Sequence, residues 1–215
     1  MSIGINNREK KRIAVFASGG GTNFQAIIDG CENGTINGEI VLLIYNRKDA
    51  FAKERAEKHG IKSCYVNKRQ FENEQLMVDK MLELLDESGT QLIVLAGYLQ
   101  KIDARIVEKY KNAIVNIHPS LIPAFCGDGF YGHFVHEAAL RYGVKVSGCT
   151  VHFVDSGMDT GPIIMQTPVI VEQGDTAETL AARILPYEHK TLTSAVALIC
   201  DDKVTVEDRK VIIRK

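Results

Sequence analysis

Asn116 and His118 stand two positions apart at the end of an apolar run, and the stretch NIHPSLIP that contains them continues with two prolines. Proline fixes the backbone φ angle and removes conformational freedom, so such a loop holds polar side chains rigidly at a strand end. The pattern therefore makes chemistry by an amide and an imidazole possible here. A structural interpretation stays open beside it, in which Asn116 caps the strand and His118 hydrogen-bonds a carbonyl.

Asp159 lies further along the chain in the segment DSGMDTGPI, which is predicted to be a loop between two strands. An ionised carboxylate that meets a histidine raises the imidazole pKa and fixes the orientation of the ring. His118 is one candidate partner, and His152 on the preceding strand is a second. The alternative is a solvated turn, because acidic residues and glycines are common in turns.

The segment SGGGTN is a third candidate, because it joins a predicted strand to a predicted helix. Its glycines let backbone amides approach an anion, and the following helix adds the positive end of its dipole. No Lys-Ser or Lys-Thr follows the glycines, and Phe24 stands where a dinucleotide fingerprint has its third glycine. The loop therefore suits a monophosphate, with a tight turn that needs positive φ as the alternative.

No metal site is predicted. His133 and His136 have a spacing of three residues that suits a shared metal, but the sequence supplies no evident third ligand. The cysteines are odd in number and widely scattered, so we expect reduced packing residues rather than disulfides or a zinc site; they are Cys31, Cys64, Cys126, Cys149 and Cys200.

The elements that must position these residues alternate between strand and helix in the first half of the chain. Residues 11–16 lead into an apolar strand, IAVF, and continuous apolar runs at 40–44 and 92–97 indicate strands that are buried on both faces of a parallel sheet. Between the last two runs, Met77, Met81, Leu84 and Leu85 mark one face of an amphipathic helix. This alternation predicts an α/β fold with an open, doubly wound and mostly parallel sheet, in which ligands bind beyond the carboxyl ends of the strands.

The second half is predicted to hold two further strands, at residues 146–154 and 163–171, and one long helix that begins at Asp175 or Thr176. Pro186 is expected to kink that helix or to split it in two. Residues 204–215 read as a terminal hairpin. No linker, repeat or low-complexity segment interrupts the chain, so we predict a single domain over residues 1–215.

Composition limits the class of protein. The chain has 215 residues, of which 45% are hydrophobic and 25% charged, and its formal net charge is -1. These values match an ordinary globular protein and argue against a general nucleic-acid or membrane-surface binder. The N-terminus has no apolar segment of signal-peptide length and no run approaches a membrane span, so we expect a cytoplasmic protein.

Taken together and in this order, SGGGTNFQAII, VLAGYL, NIHPSLIP, GCTVHFVDSGMDTGPII and YEH resemble the phosphoribosylglycinamide formyltransferases of the folate-dependent formyltransferase superfamily. The similarity runs from about residue 12 to residue 203. Such enzymes formylate glycinamide ribonucleotide in purine synthesis, with 10-formyltetrahydrofolate as co-substrate and no metal. The resemblance implies a phosphate-binding half over about 12–111, which is Rossmann-like, and a catalytic and folate-binding half over about 112–203.

The resemblance also implies roles for individual residues. Asn116, His118 and Asp159 match the catalytic trio, in which Asn116 and protonated His118 donate to the oxyanion and Asp159 keeps His118 charged and oriented. On that basis the pKa of His118 is expected to lie above about 6.5. The implied ribonucleotide site consists of Gly21, Thr22, Asn23, Phe24, Asn116 and Glu188. The implied folate site consists of Lys68, Leu99, Gln100, Lys101, Ile102, Val154, Asp155 and Asp159.

The sequence departs from this family at three places. Gln100 stands where many members have arginine, so backbone rather than side-chain contacts to folate are expected there. The segment 124–136 is longer and richer in glycine than its counterpart in many relatives. Either Lys68 or Arg69 is the basic residue expected to meet the acidic tail of folate.

Three other functions remain as alternatives. A formyltetrahydrofolate hydrolase uses water in place of the amine, and a methionyl-tRNA formyltransferase acts on a different amine. Each of these usually carries an extra domain, for which 215 residues leave no room. A nucleotide-binding relative without catalytic activity is the third. We expect small-molecule substrates and a monomer or homodimer, with neither nucleic acid nor membrane as a partner.

Overall fold

The computed structural model describes residues 9–214, and these residues form nine strands in two sheets. The strands are β1 (Lys11–Ala17), β2 (Gly38–Tyr45), β3 (Ser63–Tyr65), β4 (Leu92–Leu95), β5 (Ile114–His118), β6 (Val146–Phe153), β7 (Ile163–Ile170), β8 (Val204–Glu207) and β9 (Lys210–Ile213). The main sheet has seven strands in the order β3-β2-β1-β4-β5-β6-β7.

Parallel pairing joins the first five strands, and β6 and β7 then continue the sheet in antiparallel fashion. The strand order reverses between β1 and β4, where both strands leave a crevice beyond their carboxyl ends. The predicted open, mostly parallel α/β sheet is confirmed. β5 is the seam of this sheet, since it pairs parallel with β4 and antiparallel with β6.

Six helices within the described residues cover the sheet. They are α1 (Thr22–Glu32), α2 (Ala52–Lys58), α3 (Glu74–Glu87), α4 (Ala104–Lys109), α5 (His133–Tyr142) and α6 (Ala177–Cys200), with a 3₁₀ turn at Lys68–Gln70. Two separate hydrophobic cores lie on the two faces of the sheet: α1 and α6 contribute to one, and α3 and α4 to the other. Met77, Met81, Leu84 and Leu85 are buried in the second core, as their spacing predicts.

α6 begins after Thr176, whose side chain accepts a hydrogen bond from the Thr179 backbone N–H. Pro186 lies inside it, yet the helix continues to Cys200, so the expected split does not occur. The proline removes one backbone donor, but Ile184 and Leu192 on either side of it are fully buried and hold the helix against the sheet. Packing outweighs the lost hydrogen bond.

β8 and β9 pair antiparallel as a hairpin, and the Arg209 side chain in its turn donates to the Thr160 carbonyl at 2.9 Å. The hairpin therefore touches the loop between β6 and β7. Lys215 and the N-terminal residues 1–8, on which the expectation of no signal peptide partly rests, lie outside the described residues. None of the helices in residues 9–214 is long and apolar enough to cross a membrane.

Candidate active site

A cleft of about 430 Å³ lies at the carboxyl ends of β4 and β5, beside the loop that joins β6 to β7. The expected catalytic residues Asn116, His118 and Asp159 all line it. Asn23 and Glu188 line one part of its wall, and the segment 97–102 lines another. The cleft thus brings together residues that are up to 165 positions apart in sequence.

Strand register explains why the polar side chains meet. Asn116 and His118 are two positions apart on β5, so both project from the same face of the sheet. In the antiparallel pairing with β6, Asn116 lies opposite His152 and His118 lies opposite Thr150. Directly opposed residues project to the same face, so β6 delivers His152 to the same cluster. Asp159 reaches the cluster from the loop that follows β6.

His118 makes its shortest side-chain contact with the loop that follows β5. Its Nε2 lies 2.9 Å from the Phe125 carbonyl oxygen, which only accepts, so Nε2 carries a hydrogen. Nδ1 faces Asp159 Oδ2 at 3.5 Å, longer than an ordinary hydrogen bond. The same Oδ2 accepts from the Gly127 backbone N–H at 3.0 Å. Two residues of one loop therefore hold the imidazole and the carboxylate.

Asn116 contacts the other side of this cluster. Its Nδ2 lies 3.2 Å from His152 Nε2 and 3.5 Å from Asp159 Oδ1. His152 Nδ1 donates to the Phe153 carbonyl at 2.8 Å, so in the neutral ring Nε2 is the acceptor that faces the amide. In this arrangement both amide hydrogens of Asn116 point to protein groups. Donation to a substrate oxygen requires one of these contacts to be exchanged.

The electrostatics of His118 differ from expectation. Burial lowers the pKa of His118 below its ordinary value, and the opposing effects of Asp159 and the Phe125 carbonyl are smaller. The expectation of a raised pKa is therefore wrong, because desolvation of the ring outweighs the carboxylate at 3.5 Å. For Asp159 burial raises the pKa, but the contacts with His152, His118 and the Gly127 N–H together outweigh it and leave the pKa below its ordinary range. The site holds a neutral imidazole beside an ionised carboxylate.

The turn after β5 is fixed by side chains that the sequence analysis does not single out. Thr150 Oγ1 donates to the Ser120 carbonyl at 2.6 Å and accepts from the Ile122 backbone N–H at 3.1 Å. Gln166 Nε2 donates to the Ile122 carbonyl at 2.9 Å. Hydrogen bonds from β6 and β7 thus stiffen the segment in addition to its prolines. Thr150 could have been found in the sequence from its position two residues before His152 on the same predicted strand.

The glycine loop lies at the N-terminal end of α1. Gly21 is the N-cap residue, with φ 68°, and no side chain caps the helix there, so its first backbone amides have no capping acceptor. The side chain of Phe24 is fully buried in the core, so it offers a ligand only its backbone. Arg55 Nε donates to the Gly20 carbonyl at 2.9 Å and places a cation beside the loop. Gly21, Thr22 and Phe24 do not line the 430 Å³ cleft, whereas Asn23 does.

Asn23 and Glu188 join α1 to α6 at the edge of the cleft. Asn23 Nδ2 donates to Glu188 Oε2 at 2.9 Å. Asn23 Oδ1 is buried and has no hydrogen-bond partner, so an acceptor is available at the cleft wall. Burial raises the pKa of Glu188, and the bond from Asn23 only partly opposes this effect. The two residues offer a ligand both an acceptor and a titratable carboxyl group.

The residues expected to bind folate separate into two groups. Seven of them line the cleft: Leu99, Gln100, Lys101, Ile102, Val154, Asp155 and Asp159. Lys68 and its alternative Arg69 lie on the 3₁₀ turn outside that lining. Among the residues that the structure describes, Lys101 is the one lysine or arginine in the cleft wall. Gln100, at the position of the family's arginine, accepts a hydrogen bond from Tyr98 at 3.2 Å.

The long segment 124–136 forms part of the cleft and then begins α5. Residues 127–132 line the cleft, and α5 starts at His133. His133 Nε2 lies 3.0 Å from Glu137 Oε1. His136 is buried, and its Nδ1 has no hydrogen-bond partner. Burial lowers the pKa of His136 to about 4. No group of three His, Cys, Asp or Glu residues within 9–214 is placed to hold a metal ion.

Comparison with known proteins assigns the chain to a class. Residues 11–196 match the family model described as formyl transferase. The chain is 41% identical over 186 residues to phosphoribosylglycinamide formyltransferase of Bacillus subtilis, covering 86% of this chain and 93% of that one. It is 42% identical over 196 residues to the chloroplastic phosphoribosylglycinamide formyltransferase of Arabidopsis thaliana, covering 91% and 67% respectively.

A solved structure agrees with this assignment. The crystal structure of glycinamide ribonucleotide transformylase 1 from Symbiobacterium toebii superposes with a TM-score of 0.91 at 40% identity, covering 96% of this chain and 95% of that one. The protein belongs to the formyl transferase family.

Proposed function

We propose that this protein transfers the formyl group of 10-formyltetrahydrofolate to the amine of 5-phosphoribosylglycinamide in purine biosynthesis. The observation that carries the proposal is the position of Asp159, within 3.6 Å of polar atoms of Asn116, His118 and His152. This cluster shares one cleft with Asn23 and Glu188 and with the segment 99–102. Two ligands entering from these sides would meet at the cluster, and three relatives of 40–42% identity carry the corresponding names.

The reaction proceeds by direct attack in this proposal. The amine nitrogen bonds to the formyl carbon, the carbonyl electrons move to oxygen, and collapse of the intermediate breaks the bond to the folate nitrogen. The nucleophile must lose a proton and the leaving nitrogen must gain one. No covalent bond to the protein is needed.

His118 is the proton acceptor in this scheme. A neutral ring at neutral pH can take the amine proton, directly or through water, whereas an imidazolium cannot. The ionised Asp159 at 3.5 Å then stabilises the imidazolium that forms. His118 returns the proton to the leaving nitrogen. This assignment replaces the charged resting histidine expected from sequence, because burial keeps the ring neutral.

Asn116 stabilises the oxyanion in the proposal. An amide donor directed at the developing charge in a dry site contributes about 3 kcal/mol to lowering the barrier. Asn116 Nδ2 lies 3.5 Å from Asp159 Oδ1, a long contact that a nearby oxyanion can replace. The 3.2 Å contact with His152 keeps the amide oriented during this exchange.

The two substrates occupy opposite parts of the site. We place the ribonucleotide phosphate at the backbone amides that open α1, near Arg55, with Glu188 and Asn23 close to the rest of that substrate. Folate lies against residues 99–102, Val154 and Asp155. Lys101 lies in the cleft wall beside it, and Lys68 or Arg69, on the 3₁₀ turn, stays the candidate for its acidic tail.

The experiment that tests the proposal is a steady-state assay with both substrates beside a folate-only control. Formylated ribonucleotide should form, and folate-only turnover should be slow. Glu188→Gln keeps the shape but removes the charge, and we expect its ribonucleotide KM to rise about tenfold or more, since a charge-assisted hydrogen bond is worth about 1.5 to 3 kcal/mol. Rapid folate-only turnover that the ribonucleotide does not affect would instead favour a hydrolase. No turnover of either kind would favour a binding protein.

Location and assembly stay predictions. The compared relatives include a bacterial protein and one named chloroplastic, so the expected cytoplasmic location awaits fractionation of the source cells. The monomer or homodimer expected from sequence awaits measurement of mass in solution.

A further inference from the structure

A three-residue stretch, Phe125 to Gly127, contacts both members of the His118 and Asp159 pair. The Phe125 carbonyl accepts from His118 Nε2 at 2.9 Å, and the Gly127 N–H donates to Asp159 Oδ2 at 3.0 Å. The two backbone groups therefore set the distance between the imidazole and the carboxylate. A shift of this stretch by an ångström would break both bonds.

The backbone of the stretch adopts conformations that a chain does not keep without support. Phe125 has φ 50° and Gly127 has φ 88°. Positive φ is ordinary for glycine, but for a bulky residue such as phenylalanine it is costly and persists only where the surroundings hold it. Something other than local preference must hold Phe125 in place.

The support comes from two aromatic rings. The Phe125 ring lies edge to face with Phe130 at 6.4 Å and with Tyr142 at 5.9 Å between centroids. Phe130 lines the cleft, whereas Tyr142 lies outside the cleft lining at the last residue of α5, with 81% of its surface exposed. Tyr142 can therefore influence the cleft through Phe125 without touching a substrate there.

We propose that Phe130 and Tyr142 are positioning residues, which hold the Phe125 carbonyl and the Gly127 N–H against the catalytic pair. The inference rests on the proposed function for its effect on turnover, but the positioning itself is a property of the protein alone. It gives the long segment 124–136 a role: the extra residues supply an aromatic clamp that orients His118 and Asp159.

Tyr142→Leu tests the clamp from outside the site. We expect kcat to fall about two- to tenfold, the range of one aromatic pair, with both KM values nearly constant. Phe134→Leu is the matched control: Phe134 lies on the same helix and is half exposed, but its ring packs on Tyr131 rather than on Phe125. Its kcat should stay close to that of the unmodified protein.

A second readout needs no substrate. The ring ¹⁵N and Nε2–H signals of His118 report the bond to Phe125, and they can be assigned by their loss in His118→Asn. We expect them to shift in Tyr142→Leu and in Phe130→Leu, and to stay in place in Phe134→Leu. If formyl transfer were absent but the signals shifted as described, the proposed function would fail and the clamp would stand. Unchanged His118 signals in both Tyr142→Leu and Phe130→Leu would contradict the positioning role. A Tyr142→Leu variant that changed only KM, with kcat constant, would contradict it too.

Discussion

At the residue scale, the chemistry of the site depends on how burial and charge compete at His118. The ring is buried with Asp159 3.5 Å from Nδ1, and desolvation has the larger effect. A histidine held neutral at rest with a carboxylate nearby can accept a proton and then be stabilised as a cation. The pair is thus suited to proton transfer rather than to permanent positive charge.

The coupling of this pair is testable by a double-mutant cycle. Asp159→Asn keeps the volume and removes the charge, so we expect kcat to fall about 100-fold or more with modest changes in KM, the pattern of an interaction made chiefly in the transition state. His118→Asn should cause a similar loss. Since the residues act as one unit, the double variant should lose much less than the product of the two losses. Strictly multiplicative losses would contradict the assignment.

The lowered pKa of His118 determines how stability and kcat change with pH. The native pKa of His118 lies below the unfolded value of about 6.5, so acidification below pH about 6.5 favours the unfolded state. In the folded protein the neutral base is lost only at lower pH, as the pH falls through the native pKa. Both stability and kcat should therefore fall on the acid side. Because Asp159 raises the His118 pKa, Asp159→Asn should move this limb to lower pH. An acid limb that moved upward would contradict this ordering.

How much of the site could be predicted differs from residue to residue. Asn116 and His118 are candidates from their place at the end of an apolar run before two prolines, whereas Asp159 in its loop is singled out only through the family resemblance. The pKa direction of His118 was not predictable, since desolvation depends on the packing of the Phe125 loop over the ring. Neither spacing nor composition reveals that the turn of Lys68 lies outside the cleft lining, and its contact with folate stays a prediction.

At the element scale, the start of α1 combines two kinds of glycine. Gly21 has φ 68°, and a Cβ added there would lie 2.9 Å from Ala52 Cβ on α2. Gly20 has open space around it and no positive φ. Gly21 is required by the fold, whereas a side chain at Gly20 would meet no atom of the described residues within 4 Å.

Alanine at these two positions separates binding from stability. Gly20→Ala should leave the melting temperature nearly constant and raise the KM of the ribonucleotide, because the new methyl group stands where the phosphate approaches the backbone. Folate KM should change little. Gly21→Ala should lower the free energy of unfolding by about 1 to 3 kcal/mol through strain and contact with Ala52. Thermal melts and steady-state kinetics on both variants provide the check.

A loss of stability in Gly20→Ala equal to that in Gly21→Ala would contradict the division of roles. Equal rises of both KM values in Gly20→Ala would place the phosphate elsewhere.

Some strands and helices could be predicted from the sequence and others could not. Long apolar runs predicted β1, β2 and β4, because strands buried on both faces tolerate few polar residues. β3 is only three residues long and half-buried, and α4 has six residues, so neither gives a periodic signal. The continuity of α6 through Pro186 depends on contacts of Ile184 and Leu192 with the sheet, which are tertiary and cannot be read locally.

At the scale of the whole molecule, the hairpin of β8 and β9 contacts the loop that carries Asp159. Arg209 Nη2 donates to the Thr160 carbonyl at 2.9 Å, one residue after Asp159, which itself has φ 55°. Asp155 fixes the same loop by accepting from the Gly157 N–H at 3.0 Å. A segment more than 40 residues away along the chain thus helps to hold the Asp159 backbone.

Arg209→Ala should weaken this support without removing any group from the cleft. One exposed hydrogen bond contributes about 0.5 to 1.5 kcal/mol, so we expect a fall in kcat of at most about tenfold and nearly constant KM values. Lys210→Ala, in the adjacent exposed position, is the matched control and should behave like the unmodified protein. Identical kinetics in all three proteins would mean that the hairpin does not influence the loop.

The position of β5 between the parallel and antiparallel parts of the sheet affects when the cluster around Asn116 and His118 can assemble during synthesis. Synthesis proceeds from the N-terminus, so β1 to β5 leave the ribosome and can pair before β6, the Asp159 loop and α6 have done so. At that moment Asn116 and His118 have neither β6 beside them nor Asp159 near them, since both lie later in the sequence. Glu188 follows later still, on α6. The cluster is therefore completed only after β6, the Asp159 loop and α6 have been made, long after the glycine loop at the start of α1 has formed.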